Sequence, residues 1–169
     1  VGDKANECTT IAALAMVSRK QKSNMQVALD RSMHQIKVCE EAQYTLFVAN
    51  GNLAVGEIEL ERENVKIALN HLNDSKSRFE AVDYASGVLS ANIAIGKANF
   101  ILGNVDVAKS LIHRALVDAE KLGGWDDLET AYPVAALIAE QEGSLKEAMA
   151  WHKKYMAAAE KVRNNNKAI

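Results

Sequence analysis

A step of forty residues recurs along this chain, and it constrains the fold more than any other sequence feature. Two registers of small residues carry the step. The first register consists of Gly56, Gly96 and Ala136, with Met16 in place of a small residue in the first copy. The second holds alanine in every copy and consists of Ala28, Ala68, Ala108 and Ala148. Repeats of this length are typical of stacked supersecondary units. Each copy therefore predicts one helical hairpin, in which small residues mark the closest approach of two antiparallel helices.

The hairpins are expected at about residues 3–42, 43–82, 83–122 and 123–163, which together make one domain spanning 1–169. Glycine and asparagine favour tight turns, so Gly103-Asn104 predicts the turn of the third hairpin. Gly143-Ser144 and Ser23-Asn24 predict turns at equivalent places. Gly123-Gly124 indicates a helix end, since glycine commonly follows a helix C-terminus. Asp83 is predicted as a helix N-cap.

The composition favours an all-α fold. Of 169 residues, 49 % are apolar, so a continuous core is within reach, and proline occurs only once, as Pro133. By register Pro133 falls inside a helix, which it should kink or whose start it should delay. Asn50-Gly51 looks like a turn in isolation. The repeat register instead places this dipeptide inside the first helix of the second hairpin.

Charge and cysteine content exclude several classes of function. The net charge of −2 creates no global field that would attract nucleic acid or an acidic membrane. Cys8 and Cys39 lack metal-ligand spacing, and we expect buried thiols that behave as small hydrophobic residues and say little about compartment. No apolar run approaches a membrane span, and no signal peptide is visible.

The ends of the sequence suggest a fragment of a longer protein, since it starts at Val1 and its last residues are still polar and helical in character. We expect no membrane contact by this segment. A cytoplasmic location is favoured, and a periplasmic one stays open if a membrane anchor lies outside these residues.

No pattern in the sequence indicates catalysis, a cofactor or a metal site. The histidines all fall on the second helices of their hairpins, without a second histidine three or four residues away: His34, His71, His113 and His152. That spacing argues against a metal site. No phosphate-binding loop or nucleophile elbow is present. We expect this chain to have no enzymatic activity of its own.

The third copy resembles the tetratricopeptide repeat. The family's pattern is a small residue, then alanine twelve residues later, an apolar residue four further on and alanine three beyond that. In the third copy Gly96, Ala108, Ile112 and Ala115 meet this pattern. The period of forty exceeds the family's usual length of about 34 residues, so each helix should be about one turn longer. This variety is similar to MalT-like regulators and to bacterial signalling proteins in which the repeats precede a GGDEF or histidine kinase domain.

The resemblance implies a right-handed α-α superhelix whose first helices line a concave, peptide-binding face. By register the candidate groove residues are Asn50, Leu53, Glu57, Leu60, Glu61, Ile93, Lys97, Phe100, Ile101 and Leu137. Leu60 and Phe100 occupy the same position in adjacent copies, and both are large and apolar on a face expected to be partly open. The alternative is that they pack between neighbouring first helices.

Charged residues narrow the choice of partner. Glu57 and Glu61 share a helix face and could bind a basic peptide, although a solvated surface is the simpler interpretation.

A chaperone-binding carboxylate clamp needs lysine, asparagine and arginine at set positions of the first helices. Those positions of this chain hold other residues, namely Ala13, Val17, Ala54, Ser90 and Ala94. The basic last helix lacks the interleaved aromatic residues that would suggest nucleic-acid binding. That helix carries Lys146, Lys153, Lys154, Lys161, Arg163 and Lys167.

The repeat pattern predicts a protein- or peptide-binding scaffold, and the resemblance implies that it belongs to the sensory or regulatory region of a bacterial signalling protein such as a GGDEF diguanylate cyclase. Two alternatives stay open. The chain could be a homodimerisation module for a fused output domain, or the groove could hold a small ligand.

Overall fold

A computed structural model describes residues 2–21 and 24–167, and every secondary-structure element in that part of the chain is an α-helix. The helices are α1 (Gly2–Gln21), α2 (Met25–Glu41), α3 (Thr45–Glu61), α4 (Val65–Ala81), α5 (Ala85–Ile101), α6 (Val105–Leu122), α7 (Trp125–Gln141) and α8 (Leu145–Lys167). The prediction of an all-α chain built from helix pairs of forty-residue period is confirmed. The arrangement of those pairs as a superhelix stays a prediction.

The forty-residue register placed the helices correctly where local sequence signals disagreed with it. Asn50 and Gly51 lie inside α3 despite their turn propensity. Pro133 lies inside α7, which already begins at Trp125, so the expected delay of the helix start is wrong. Asn24 caps α2, and its side chain accepts a hydrogen bond from the Val27 N–H at 3.2 Å. The other residue of that predicted turn, Ser23, lies outside the described residues.

The connections that follow α2 to α7 each place one residue in the left-handed region, and these residues recur every twenty positions. A left-handed residue follows the helix at positions 43, 63, 83, 103, 123 and 143, with φ between 52° and 80°. In the turn after α5, for example, Gly103 N–H donates to Phe100 O at 3.0 Å and Asn104 N–H donates to Asn99 O at 2.9 Å. This pair of bonds satisfies carbonyl groups left open by the helix end.

Asp83 is not the N-cap of α5. It takes the left-handed conformation with φ of 52°, and Ala85 is the first helical residue. Its N–H donates to Glu80 O, the same bond that residues 43, 63, 103 and 143 make in their turns, whereas the Gly123 N–H donates to Ala119 O. The sequence suggested a cap because aspartate is common at that position, but the twenty-residue recurrence assigns Asp83 to the end of the preceding helix.

The chain divides into two compact units, and the boundary falls inside α5 between Ala91 and Asn92. In unit 1, which ends at Ala91, α2 packs against both α1 and α3, α3 packs against α4, and α1 also contacts α3. In unit 2, which begins at Asn92, α7 packs against both α6 and α8. The prediction of one domain over the whole chain stays a prediction.

The small-residue registers mark close helix contacts, as the sequence predicted. A Cβ atom on Gly56 of α3 would lie 2.5 Å from Leu72 Cγ on α4, and one on Gly96 would lie 2.8 Å from Ile112 Cδ1 on α6. The alanine register is buried in all four hairpins. Met16 departs from the pattern, since its side chain is half exposed on α1. A side chain at Gly56 or Gly96 would therefore fit only if Leu72 or Ile112 moved.

A disulfide joins Cys8 on α1 to Cys39 on α2, so the expectation of free buried thiols is wrong. Both cysteines are fully buried and form a cluster with Val38 and Val48, against which Ile11, Ile36, Ala42 and Phe47 pack. An ion pair between Lys4 and Glu41, 2.7 Å apart, links the same two helices at the surface. Covalent and packing contacts together hold α1 against α2.

Candidate functional site

The predicted groove residues lie on three of the first helices. Asn50, Leu53, Glu57, Leu60 and Glu61 lie on α3 in unit 1. The remainder lie in unit 2, on α5 and α7, and these are Ile93, Lys97, Phe100, Ile101 and Leu137.

Three of these residues belong to the interior and not to an open groove. Leu60 is only 5 % exposed, and Leu53 and Ile93 are also buried. The alternative interpretation, in which Leu60 packs between helices, fits this burial. Phe100 is half-buried, so it keeps some exposed surface. Replacing Leu60 would disturb the core, and it is unsuitable for testing partner binding.

The other predicted positions are at least partly accessible. Lys97, Glu61, Ile101 and Leu137 are exposed. Glu57 is half-buried and lies one helical turn from Glu61. The exposed members in unit 2 are two aliphatic side chains and one lysine, which gives no concentration of like charge.

An open cavity of about 330 Å³ lies in unit 1, between α1, α2 and α3. Its lining consists of Thr9, Ala12, Ala13, Met16, Gln35, Phe47 and Asn50. Asn50 is the predicted groove residue that the structure brings to this cavity. The volume falls at the lower end of the range for ligand pockets, about 300–1,000 Å³.

The polar groups of the lining donate their hydrogen bonds to the protein's own backbone. Gln35 Nε2 donates to Phe47 O at 2.7 Å, and Asn50 Nδ2 donates to Leu46 O at 2.9 Å. Thr9 Oγ1 donates to Asn6 O at 3.0 Å. The side-chain oxygens of Gln35 and Asn50 are therefore what the lining can offer to an incoming N–H group. No charged residue is among those that line the cavity.

The disulfide cluster supports the wall of the cavity. Phe47 packs against the Cys8–Cys39 cluster and also lines the cavity. Its carbonyl accepts the bond from Gln35, whose side chain is buried between α2 and α3. The α1 wall, formed by Thr9, Ala12, Ala13 and Met16, is thus positioned by the bond between α1 and α2.

Sequence reasoning missed most of the lining because it did not extend the groove register to the first hairpin. Forty residues before Leu53 stands Ala13, which lines the cavity. In the sequence, Ala13 stands out only as a position where a clamp residue is missing. Gln35 gave no signal, because it lies on a second helix and the groove was expected from first helices alone.

A network of polar side chains connects α2, α3 and α4 elsewhere in unit 1. Asn52 donates to Asp74 Oδ2 at 2.8 Å and contacts His71 Nδ1 at 2.7 Å. Arg78 binds Asp74 at 2.8 Å and Glu40 at 3.0 Å. Partial burial by itself would lower the pKa of the Arg78 guanidinium. The carboxylates of Asp74 and Glu40 have the larger combined effect, so the pKa is raised. The side chains of this network form hydrogen bonds and ion pairs with one another, and these contacts link α2, α3 and α4.

An aromatic cluster connects the helices of unit 2. The rings of Tyr132 and Trp151 stack at 5.8 Å, and Lys154 Nζ lies 4.7 Å from the Trp151 centroid. Lys154 also pairs with Glu120 at 3.7 Å. Burial and the neighbouring Glu120 raise the pKa of the Tyr132 hydroxyl. The cluster ties α6, α7 and α8 together, and its cation is the protein's own lysine.

The described residues contain no group of three histidine, cysteine, aspartate or glutamate side chains placed to hold a metal ion. Within the same part of the chain, no helix combines the length and hydrophobicity that crossing a membrane requires. The chain was also compared with known proteins. No protein-family model matches it, and no curated protein matches it.

Proposed function

We propose that this chain is a binding scaffold, and that the cavity of unit 1 accepts an uncharged apolar side chain of a protein or peptide partner. The observation that carries the proposal is the open cavity between α1, α2 and α3, whose lining combines Ala12, Ala13, Met16 and Phe47 with two side-chain amides. Apolar walls with a few placed polar groups are typical of ligand sites.

The chemistry of the lining favours a peptide over a charged metabolite. No charged residue is among those that line the cavity, so a phosphate or carboxylate would lose its hydration without an ion partner. The amide oxygens of Gln35 and Asn50 suit a backbone N–H of a peptide. Met16 is flexible and polarizable, which lets one site accommodate partners of different shape.

The signalling context implied by the resemblance stays a prediction, as do self-association and small-ligand sensing. The proposal concerns the cavity alone, and it requires neither an output domain nor a neighbouring copy of the chain.

The test is selection of binders from a library of random-sequence peptides displayed on phage, using the full chain as target. We expect enriched peptides to share one large aliphatic or aromatic residue, without a required carboxylate. Ala13→Trp fills the cavity from its open side, so it should weaken binding of the selected peptides about tenfold or more.

Ala157→Trp is the matched control, because Ala157 is an exposed alanine on α8 in unit 2. That variant should bind the same peptides as the parent does. The proposal fails if no peptides are enriched, or if the selected peptides bind Ala13→Trp as tightly as the parent.

A further inference from the structure

The second helices of this chain have a face that packs against the next first helix along the chain. In unit 1, Gly51 of α3 lies against Ser32, Gln35 and Ile36 of α2. The approach is close, since a Cβ atom on Gly51 would stand 2.8 Å from Ile36 Cγ1. In unit 2, α6 packs against α7 in the same order.

The equivalent face of α8 carries apolar side chains that nothing in the described chain covers. Three periods after Ile36 stands Met156, which is 71 % exposed, whereas Leu116 at the same position of α6 is only 4 % exposed. Leu145 and Met149 on the same face are 68 % and 72 % exposed. Four residues at helical spacing define this outer face of α8: Leu145, Met149, His152 and Met156.

The two edges of the outer face carry different charged groups. Lys146 and Lys153 are exposed along one edge, seven residues apart and therefore on the same side of the helix. On the opposite edge, His152 Nε2 contacts Glu140 of α7 at 3.0 Å. Glu160 and Arg163 stand near the C-terminal end of the face. The lysine edge would therefore attract carboxylates.

The packing already present between α6 and α7 shows how such a surface is completed. Lys109 of α6 holds Glu142, just beyond the end of α7, with both carboxylate oxygens at 2.7 Å from its Nζ. The carboxylate raises the pKa of Lys109. Where α3 meets α2 it presents a small residue, Gly51, and at the same register position of α7 stands the fully buried Ala131.

We propose that the outer face of α8 docks an amphipathic helix of a partner protein, with glycine or alanine at the contact and carboxylates along the edge that meets Lys146 and Lys153. Helix docking through apolar residues at this spacing is a common recognition mode. The area is separate from the cavity of unit 1, and the two proposals do not depend on each other.

A second copy of this chain fits the face less well. Its first helix, α1, has Ile11 where α3 has Gly51, and Ile11 is already packed against the disulfide cluster. Two α8 helices packed antiparallel about a two-fold axis would bring their lysine edges together, and like charges facing each other are unfavourable.

The test uses two labelled synthetic helices of about 18 residues, long enough to form a helix on binding. Both have the same alanine and leucine seam, one with glutamates along its edges and one with lysines. Fluorescence anisotropy against the full chain should show binding of the glutamate probe and weaker binding of the lysine probe. The double substitution Met149→Gln with Met156→Gln should weaken binding of the glutamate probe about tenfold. Lys146→Glu with Lys153→Glu should reverse the preference between the probes.

Met33→Gln is the matched control, since Met33 is an exposed methionine of α2 in unit 1. It should leave probe binding unchanged, and circular dichroism should show every variant to be as helical as the parent. The proposal is overturned if neither probe binds, if the two probes bind equally, or if the methionine variants bind as the parent does. It is also overturned if sedimentation shows a dimer that Met149→Gln with Met156→Gln dissociates, because the occupant is then a second copy.

Discussion

Three turns of this protein place ordinary residues in a backbone conformation that favours glycine. Gln43, Glu63 and Asp83 have φ of 60°, 64° and 52°, whereas the remaining turns of the series use Gly103, Gly123 and Gly143. For an L-residue the left-handed conformation costs about 1–2 kcal/mol. The hydrogen bonds of these turns hold the strained residues in place.

Glu63→Gly is therefore expected to increase the free energy of unfolding. Relief of the left-handed strain outweighs the greater freedom of glycine in the unfolded chain, leaving a gain of about 0.5–1 kcal/mol. Glu63 is exposed, so its side chain contributes little packing. Urea denaturation followed by circular dichroism measures the change.

The matched control is Gly103→Ala, forty residues further along at the same place in a turn. Nothing lies within 4 Å of a Cβ atom there, so any destabilisation comes from the backbone alone. We expect a loss of about 1 kcal/mol. A Glu63→Gly protein less stable than the parent would contradict this account of the turns.

At the scale of elements, α1 depends on the disulfide more than on its own sequence pattern. It exposes Leu14, Met16 and Val17, so its first-register residue, Met16, is not buried as Gly56 is. Its bond to α2 closes a loop between residues 31 positions apart. Closing such a loop stabilises a folded chain by about 3.5 kcal/mol in the chain-entropy model.

Reduction of the disulfide, or Cys8→Ala with Cys39→Ala, should thus destabilise unit 1 by about 3 kcal/mol. Both tryptophans, Trp125 and Trp151, lie in unit 2, so circular dichroism is the signal to follow. Urea denaturation with and without reductant measures the effect. The double variant should not respond to reductant, and two free thiols in the untreated native protein would disprove the bond.

The sequence contained a signal for this bond that was not used. Residues 8 and 39 stand at nearly equal distances from the turn before α2, so an antiparallel hairpin brings them face to face. The sequence interpretation considered metal-ligand spacing, which says nothing about cysteines on two helices. The pairing follows from the hairpin once the hairpin is accepted.

At the scale of the molecule, the repeat predicted the helices well because Ala68 and its equivalents must pack in every copy. The open surface was harder to predict. Residues 51–56 of α3 are all buried, polar Asn52 among them, so the sequence pattern of this helix does not reveal which side is exposed. The register placed both Leu60 and Asn50 on the groove, but Leu60 is buried whereas Asn50 lines the cavity.

The repeat also predicts that one period can be removed without loss of fold. Deleting Val65–Asn104 takes out forty residues and joins α3 to α6 through the same turn geometry. Gly56 would then meet Ile112 in place of Leu72. We expect the shortened chain to keep the mean residue helicity of the parent and to unfold in one cooperative transition, measured by circular dichroism.

A thirty-residue deletion of Val65–Ala94 is the control, because it breaks the register of turns and small residues. That chain should lose helicity and unfold gradually. If both deletions behaved alike, the period would describe the sequence without governing the packing.

The left-handed turn that follows each helix from α2 to α7 has a consequence for how such a protein can change over generations. Because the junctions after α2, α3, α4, α5 and α7 repeat the same turn hydrogen bonds, genetic duplication or loss is tolerated when it spans whole periods. A duplication or loss of any other length would place a small residue opposite a side chain with which it does not pack. The length of this protein can therefore change only by whole periods, while the backbone geometry of its turns is kept.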